Sequence, residues 1–290
     1  MLMFAFRLIL LCVILGLGAF SYGQGASGGY DGDLQNHWST LNNLKLTRTE
    51  RSHANKTFIP LFAKLLAEDK GFVKDLSVFP RMFVVYPKDS SFRIVTWELF
   101  LSKNNSRHFG VVQMASNPEK LYPLFDASDQ HLYRTKSILS RQNWFGQVYY
   151  DIAEVDVQGT PIYMLFGHDS KDSISDFKII EPFVFSNEEM FFGASILEFP
   201  HDMPPIAKED VLSRDSLTTR VFLEHKEGSV PRVSFNPLTQ RISYSHLSPI
   251  HPSAKETFYN YVPDGTESGY FWDGDLWRWL ADPSFISPTE

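Results

Sequence analysis

Two stretches of the chain carry residues whose types suit acid–base or hydrolytic chemistry. The candidate catalytic residues are Asp169, Asp172, His246 and Asp264. The first two belong to the acidic stretch 167–176, where carboxylates could act as acid and base or bind a hard cation. Lys171 and Ser173 occupy positions at which the EF-hand pattern requires residues that bind the ion through carboxylate or amide oxygens. The pattern therefore favours the alternative of a solvated turn, in which Asp and Ser bond their own backbone.

The remaining motifs for catalysis or metal binding are weak. None of the nine histidines forms a His-x-His or His-x-x-x-His pair. There is no Gly-x-Ser-x-Gly elbow, and no phosphate-binding loop ends in Lys followed by Ser or Thr. We therefore predict that the protein binds no metal ion and no cofactor. We also predict a binding protein in preference to an enzyme.

Aromatic residues at alternating positions near the C-terminus suggest a ligand-binding face. The candidate binding residues are Tyr270, Trp272, Trp277 and Trp279. A two-residue turn at Asp273-Gly274 would place Trp272 opposite Asp275 and all four rings on one side of a hairpin. Such a row could stack on sugar rings or capture an extended peptide. The alternative is that the rings pack in the core, and it is favoured because Trp and Tyr at every second position of a strand usually face the core.

The N-terminus has the pattern of a secretory signal. One charge, Arg7, precedes an apolar run that is too short to span a bilayer, and small residues follow it. We predict a signal peptide at 1–23 and a flexible leader at 24–32. Cys12 would leave with the signal, so the mature chain would have no cysteine and no disulfide. We expect export to the periplasm or cell envelope, with an extracellular location as the alternative, and no membrane span after cleavage.

The apolar pattern changes period after a short helical lead-in. Leu34, Trp38 and Leu41 recur at helical spacing, and a second helix is predicted at 58–66 with Pro60 in its first turn. Alternating runs joined by turn residues then continue, interrupted by a polar loop at 200–216 that could hold a short helix at 208–213. We predict a mainly β fold of antiparallel sheets built from hairpins. Residues 33–290 would form a single β-rich domain with a helical lead-in at 33–70.

Several segments resemble successive blocks of a family of secreted proteins from Bacteroidota-type bacteria. The blocks are 92–97, 109–113, 143–146 with 149–150, 163–169, 178–180, 192–194, 246–249, and 262–265 with 269–272. The resemblance extends from about Phe58 to Leu280. It implies export and one structural unit, and it implies no particular activity.

The net charge argues against one further class of partner. The formal net charge is −7 and the pI is about 5.7, which argues against a nucleic-acid partner. The sequence therefore predicts an exported, non-catalytic envelope protein that binds a protein or cell-envelope glycan. The alternatives are an envelope hydrolase, which would bring at least two of the four Asp and His candidates into one cleft, and a structural subunit of an envelope assembly.

Overall fold

The computed structural model describes residues 32–282 except 103–104, 132–134, 158, 187–188, 203–216 and 256. The predicted signal peptide at 1–23 and residues 24–31 of the predicted leader lie outside the described residues, as does the predicted helix at 208–213. Among the described residues, no helix has the length and apolar character needed to cross a bilayer.

Two helices open the described chain, α1 (Gly32–Asn42) and α2 (Arg48–Leu66). The predicted start of the second helix at residue 58 is wrong, because a capping box begins the helix ten residues earlier. Thr47 Oγ1 accepts a hydrogen bond from Glu50 N, and the Glu50 carboxylate accepts one from Thr47 N. Pro60 consequently lies inside the helix and not in its first turn.

The first sheet packs against these helices. Its strands follow in chain order: β1 (Phe83–Val85), β2 (Phe92–Ser102), β3 (Asn105–Met114) and β4 (Asn117–Phe125). The sequence does not predict β4, because Pro118 and Pro123 interrupt its pattern. The strand tolerates both prolines because it lies at the edge of the sheet, where half of its N–H groups need no partner strand.

Two further sheets follow. The second has the order β5 (Leu139–Ser140), β9 (Glu189–Phe192), β8 (Ser175–Ser186), β7 (Thr160–Asp169) and β6 (Val148–Val157), with β12 (Val221–Lys226) also pairing with β8. The third has the order β11 (Leu217–Thr218), β10 (Leu197–Glu198), β16 (Trp277–Leu280), β15 (Tyr261–Trp272), β14 (Arg241–Pro249) and β13 (Val233–Asn236). All these pairings are antiparallel except the single parallel pairing of β10 with β16. The predicted mainly β, antiparallel fold is confirmed.

The helices and the three sheets stack as successive layers. Val95, Trp97 and Leu99 of β2 pack against α1 and α2, whereas Phe92 and Ile94 of the same strand pack against the second sheet. In β7, Tyr163 and Leu165 face the first sheet, and Met164 and Phe166 face the third. Both faces of the first two sheets are therefore buried, which accounts for the unbroken apolar runs in their central strands.

Candidate functional site

A pocket of about 680 Å³ opens between α2 and the first sheet. Helix α2 contributes residues three and four apart, and β2 contributes alternate residues, whereas β3 contributes residues 107–110 and β4 with the residue after it contributes 123–126. The residues that line it are Ser52, Asn55, Lys56, Ile59, Trp97, Leu99, Leu101, Arg107, His108, Phe109, Gly110, Pro123, Leu124, Phe125 and Asp126. One helix face and one sheet face therefore form the walls, and the volume lies in the range usual for small-molecule sites.

A row of three rings crosses the sheet side of the pocket. Trp97 lies opposite Phe109, and Phe109 lies opposite Phe125 on the next strand. The rings of Trp97 and Phe109 stack with centroids 5.6 Å apart. Trp97 is buried and donates from Nε1 to Asn55 Oδ1 at 3.0 Å, which ties the sheet to α2. Phe125, in contrast, is 53% exposed, and Ile59 on the opposite wall is 36% exposed.

The charged groups at the pocket differ in whether other residues already bind them. Arg107 forms an ion pair with Asp129 at 3.3 Å and donates to the carbonyl oxygen of Asp126. The Asp126 carboxylate accepts hydrogen bonds from Ser128 and from the backbone N–H of His108. Lys56 is exposed on α2 beside the apolar lining. The pocket thus combines an apolar interior with two cationic side chains, and its one carboxylate is already hydrogen-bonded.

A second group of functional side chains lies on the other face of β3. Glu98 of β2, His108 of β3 and Asp169 at the end of β7 converge where the first two sheets meet. His108 Nε2 lies 3.6 Å from Glu98 Oε1 and 3.6 Å from Asp169 Oδ1. We call these three residues the Glu98–His108–Asp169 cluster.

The carboxylates around His108 control its proton affinity. Burial lowers the pKa of the imidazole, but the combined effect of Asp126, Asp169 and Glu98 raises it to about 9. Burial raises the pKa of Asp126, yet the nearby His108 imidazole and the hydrogen bond from the His108 backbone N–H hold the pKa of this carboxyl well below its usual range. Positive charge at the centre of the cluster is therefore strongly favoured.

His168 lies beside the cluster in a different state. Its Nδ1 lies 3.0 Å from the carbonyl oxygen of Phe177, and its Nε2 lies 3.3 Å from Ser170 Oγ. Ser170 Oγ also donates to Glu98 Oε2 at 3.3 Å. Burial, reinforced by Lys178, lowers the pKa of His168 to about 4, so this ring is neutral at physiological pH.

Asp172 does not join the cluster in the part of the chain that the structure describes. Its Oδ1 accepts hydrogen bonds from Ile174 N at 2.8 Å and from Ser175 N at 2.9 Å. These contacts close a local turn before β8. The structure thus assigns Asp172 the backbone-bonding role that the sequence offered as its alternative, whereas Asp169 points inward toward His108.

His246 and Asp264 meet in the third sheet. His246 Nδ1 lies 2.6 Å from Asp264 Oδ2, and His246 Nε2 lies 3.8 Å from Asp202 Oδ2. Ser248 Oγ donates to the same Asp264 oxygen, not to the imidazole. Partial burial raises the pKa of Asp264, but hydrogen bonds from Ser248 and Thr266 hold it well below its usual range. Both ring nitrogens face carboxylates, so this pair lacks the nucleophile–base contact of a Ser-His-Asp triad.

The four aromatic candidates share one face of the last hairpin, but the predicted register is wrong. Trp272 lies opposite Trp277, and Tyr270 lies opposite Trp279. The Asp273 carboxylate accepts hydrogen bonds from Asp275 N and Leu276 N, which stabilises a four-residue loop in place of the two-residue turn. The shift is by an even number of residues, so the rings stay on the same face.

That face packs against the second sheet. Tyr270 and Trp277 are fully buried, and Trp272 and Trp279 are partly buried against the same core cluster. Tyr270 donates to the carbonyl oxygen of Glu198, and Trp279 Nε1 donates to the Tyr244 hydroxyl. Tyr270 and Trp277 therefore offer no surface on which a ligand could stack.

Sequence reasoning missed both the pocket and most of the Glu98–His108–Asp169 cluster. The pocket depends on the packing of α2 over β4, a strand that the sequence does not reveal. The cluster joins residues up to 71 positions apart, of which only Asp169 lies in an acidic stretch. No protein-family model, curated protein or solved structure matches the chain. The resemblance to secreted proteins therefore stays a prediction.

Proposed function

We propose that this protein is a non-catalytic binding protein that holds a long-chain carboxylate in the pocket between α2 and the first sheet. The observation that carries the proposal is the partly uncovered apolar lining, in which Phe125 is 53% exposed and Ile59 is 36% exposed on opposite walls. Export, as the N-terminal sequence predicts, is consistent with such a role in the envelope.

The apolar lining accounts for the hydrocarbon part of the ligand. Water in contact with Ile59, Leu101 and Phe125 is released when an acyl chain replaces it, at about 25 cal/mol per Å² of apolar surface covered. Trp97 and Phe109 are tied to α2 and to each other, so the wall is already formed. Little ordering cost therefore accompanies binding.

The charges at the pocket account for the carboxylate. Lys56 and Arg107 are the solvent-exposed cationic side chains of the lining, and the Asp126 carboxylate is engaged by Ser128 and His108. Arg107 already pairs with Asp129, so a bound carboxylate would chiefly neutralise Lys56, which a neutral lipid would not do. We do not extend the proposal to a glycan or peptide on the C-terminal rings, because Tyr270 and Trp277 are buried.

Displacement of a fluorescent fatty-acid probe by palmitate tests the proposal. Ile59→Glu places a charge in the acyl part of the pocket and should weaken probe binding by at least about 30-fold. Leu44→Glu is the matched control, since Leu44 is 62% exposed and lies outside the lining. Lys56→Glu should weaken binding by about tenfold, and Lys64→Glu, on the same helix but outside the pocket, should leave it unchanged.

Three outcomes would contradict the proposal. The pocket is not the site if Ile59→Glu and Leu44→Glu bind the probe equally well. The carboxylate assignment fails if hexadecanol displaces the probe as well as palmitate does. Absence of saturable binding by the wild-type protein would overturn the ligand class altogether.

A further inference from the structure

The Glu98–His108–Asp169 cluster contains buried polar atoms without hydrogen-bond partners. The side chain of His108 is 3% exposed, and those of Glu98 and Asp169 are each 10% exposed. His108 Nε2 and Glu98 Oε1 are buried, and neither has a hydrogen-bond partner among the described residues. Such orphaned atoms are rare in native proteins and call for an explanation.

The distances within the cluster exclude direct hydrogen bonds but suit a shared ion. At 3.6 Å, His108 Nε2 is beyond normal hydrogen-bond range of both carboxylate oxygens. Two ligands bound to one tetrahedral ion at 2.0–2.2 Å lie about 3.3–3.6 Å apart. The three potential ligand atoms all lie within 4.8 Å of one another. Small movements would therefore bring all three to bonding distance of one ion.

The charges around His108 also favour a bound cation. Two carboxylates face one imidazole nitrogen, and a third carboxylate, Asp126, lies 3.8 Å from the other nitrogen. Repulsion among buried carboxylates is strong because the interior screens it poorly. An ion at Nε2 would displace the proton there and leave the proton on Nδ1, which faces Asp126, an arrangement common around metal-bound histidines.

We propose that Glu98, His108 and Asp169 bind a divalent transition-metal ion, with Zn²⁺ as the ion that suits the donor set best. One imidazole nitrogen and two carboxylate oxygens are established zinc ligands. The sequence predicted no metal site, since the three residues come from separate strands and have no ligand spacing. The site lies on the opposite face of β3 from Phe109, and it does not depend on the proposed ligand of the pocket.

Zinc titration of the purified full chain, followed by competition with a chromophoric chelator, tests the site. We expect one Zn²⁺ per chain in the wild-type protein. Asp169→Asn and Glu98→Gln preserve side-chain volume and should each weaken binding by about 100-fold or more. Co²⁺ provides a second readout, because a site of this kind should give visible d–d absorption that both variants lose.

His246→Gln is the matched control, since His246 also lies between two carboxylates but in the third sheet. This variant should bind Zn²⁺ as the wild type does. The proposal is overturned if His246→Gln abolishes binding, if both cluster variants retain wild-type affinity, or if the wild type binds no Zn²⁺. If Asp169→Asn does not fold, Glu98→Gln alone decides, with near-ultraviolet circular dichroism as the check on folding.

Discussion

His225 lies directly opposite Asp176 across the antiparallel pair of β12 and β8, and the protein shifts the pKa values of the two side chains in opposite senses. Burial, together with the nearby Lys178, lowers the pKa of His225 to about 4. Burial, together with Glu227, Glu98 and Asp172, raises the pKa of Asp176 to about 6. Each side chain therefore disfavours its own charged form.

We predict that the contributions of the two side chains to the free energy of unfolding partly cancel as the pH falls. The unfolded chain protonates histidine near pH 6.5, so the contribution of His225 is present above that pH. It is lost as the pH falls toward 4, by on the order of 3 kcal/mol. Asp176 acts in the opposite direction, because its contribution is present below pH 3.8 and is lost as the pH rises through about 6.

Urea unfolding of Asp176→Asn at pH 7, 5.5 and 4.5 checks this compensation. Without Asp176, stability should fall more steeply between pH 6.5 and 4 than in the wild type. His225→Asn should change the profile in the opposite direction, because the contribution of Asp176, which grows as the pH falls, is then uncompensated. Asp69→Asn, at an exposed position, serves as the control. Parallel profiles for the wild type and Asp176→Asn would refute the prediction.

The last hairpin should show a sharp difference between its two facing tryptophans. Trp277 is fully buried, so Trp277→Ala should cost about 3–5 kcal/mol of unfolding free energy. Trp272 is only partly buried, and Trp272→Ala should cost about 1–2 kcal/mol. Denaturant unfolding measures both values. Equal losses would mean that the face is not packed as described.

Trp277→Phe should be milder than Trp277→Ala. The indole Nε1 of Trp277 has no hydrogen-bond partner among the described residues, so phenylalanine gives up ring area without breaking a hydrogen bond. We expect a loss of about 1–2 kcal/mol in the same unfolding experiment. A loss as large as that of the alanine variant would indicate a partner for the indole N–H.

A buried ion pair joins Arg220, the residue before β12, to Glu181 of β8. Arg220 Nε donates to Glu181 Oε1 at 2.7 Å, and both side chains are almost fully buried. Tyr149 and Gln147 donate to the other carboxylate oxygen. Arg220→Met should cost about 3–5 kcal/mol, because it leaves the Glu181 charge buried without its main counterion.

A double-mutant cycle with Glu181→Gln measures the coupling of this pair. The double variant should be less destabilised than the sum of the two single variants, since removing the second charge relieves the penalty created by removing the first. Additive losses, within about 0.5 kcal/mol, would show that the two side chains do not interact energetically.

Gly269 permits close approach of β15 to β14. A Cβ atom at this position would lie 2.0 Å from the carbonyl oxygen of Ile242, a backbone atom that cannot move without breaking the sheet. Gly269→Ala should therefore destabilise the protein by about 2–3 kcal/mol. Gly32→Ala, where a Cβ would meet nothing within 4 Å, should leave thermal unfolding nearly unchanged. Similar melting temperatures for both variants would contradict the strand packing.

Local chemistry determined much of this protein from its sequence. The alternation of apolar residues and the turn residues between them predict the antiparallel hairpins, because side-chain direction has period two in a strand. The same period places Tyr270, Trp272, Trp277 and Trp279 on one face, whichever even register the turn adopts. The short polar side chain of Asp172 likewise predicts a turn within its own segment.

Only the tertiary structure decided which faces are buried and which distant residues meet. Either face of a sheet can pack against another layer of the protein, so the sequence leaves open whether the C-terminal rings face solvent or core. Thr47 and Glu50 start α2 through mutual hydrogen bonds, and α2 then covers the ring row of the first sheet to form the pocket. Glu98, His108 and Asp169 converge because the first two sheets pack face to face, a contact that spacing along the chain does not encode.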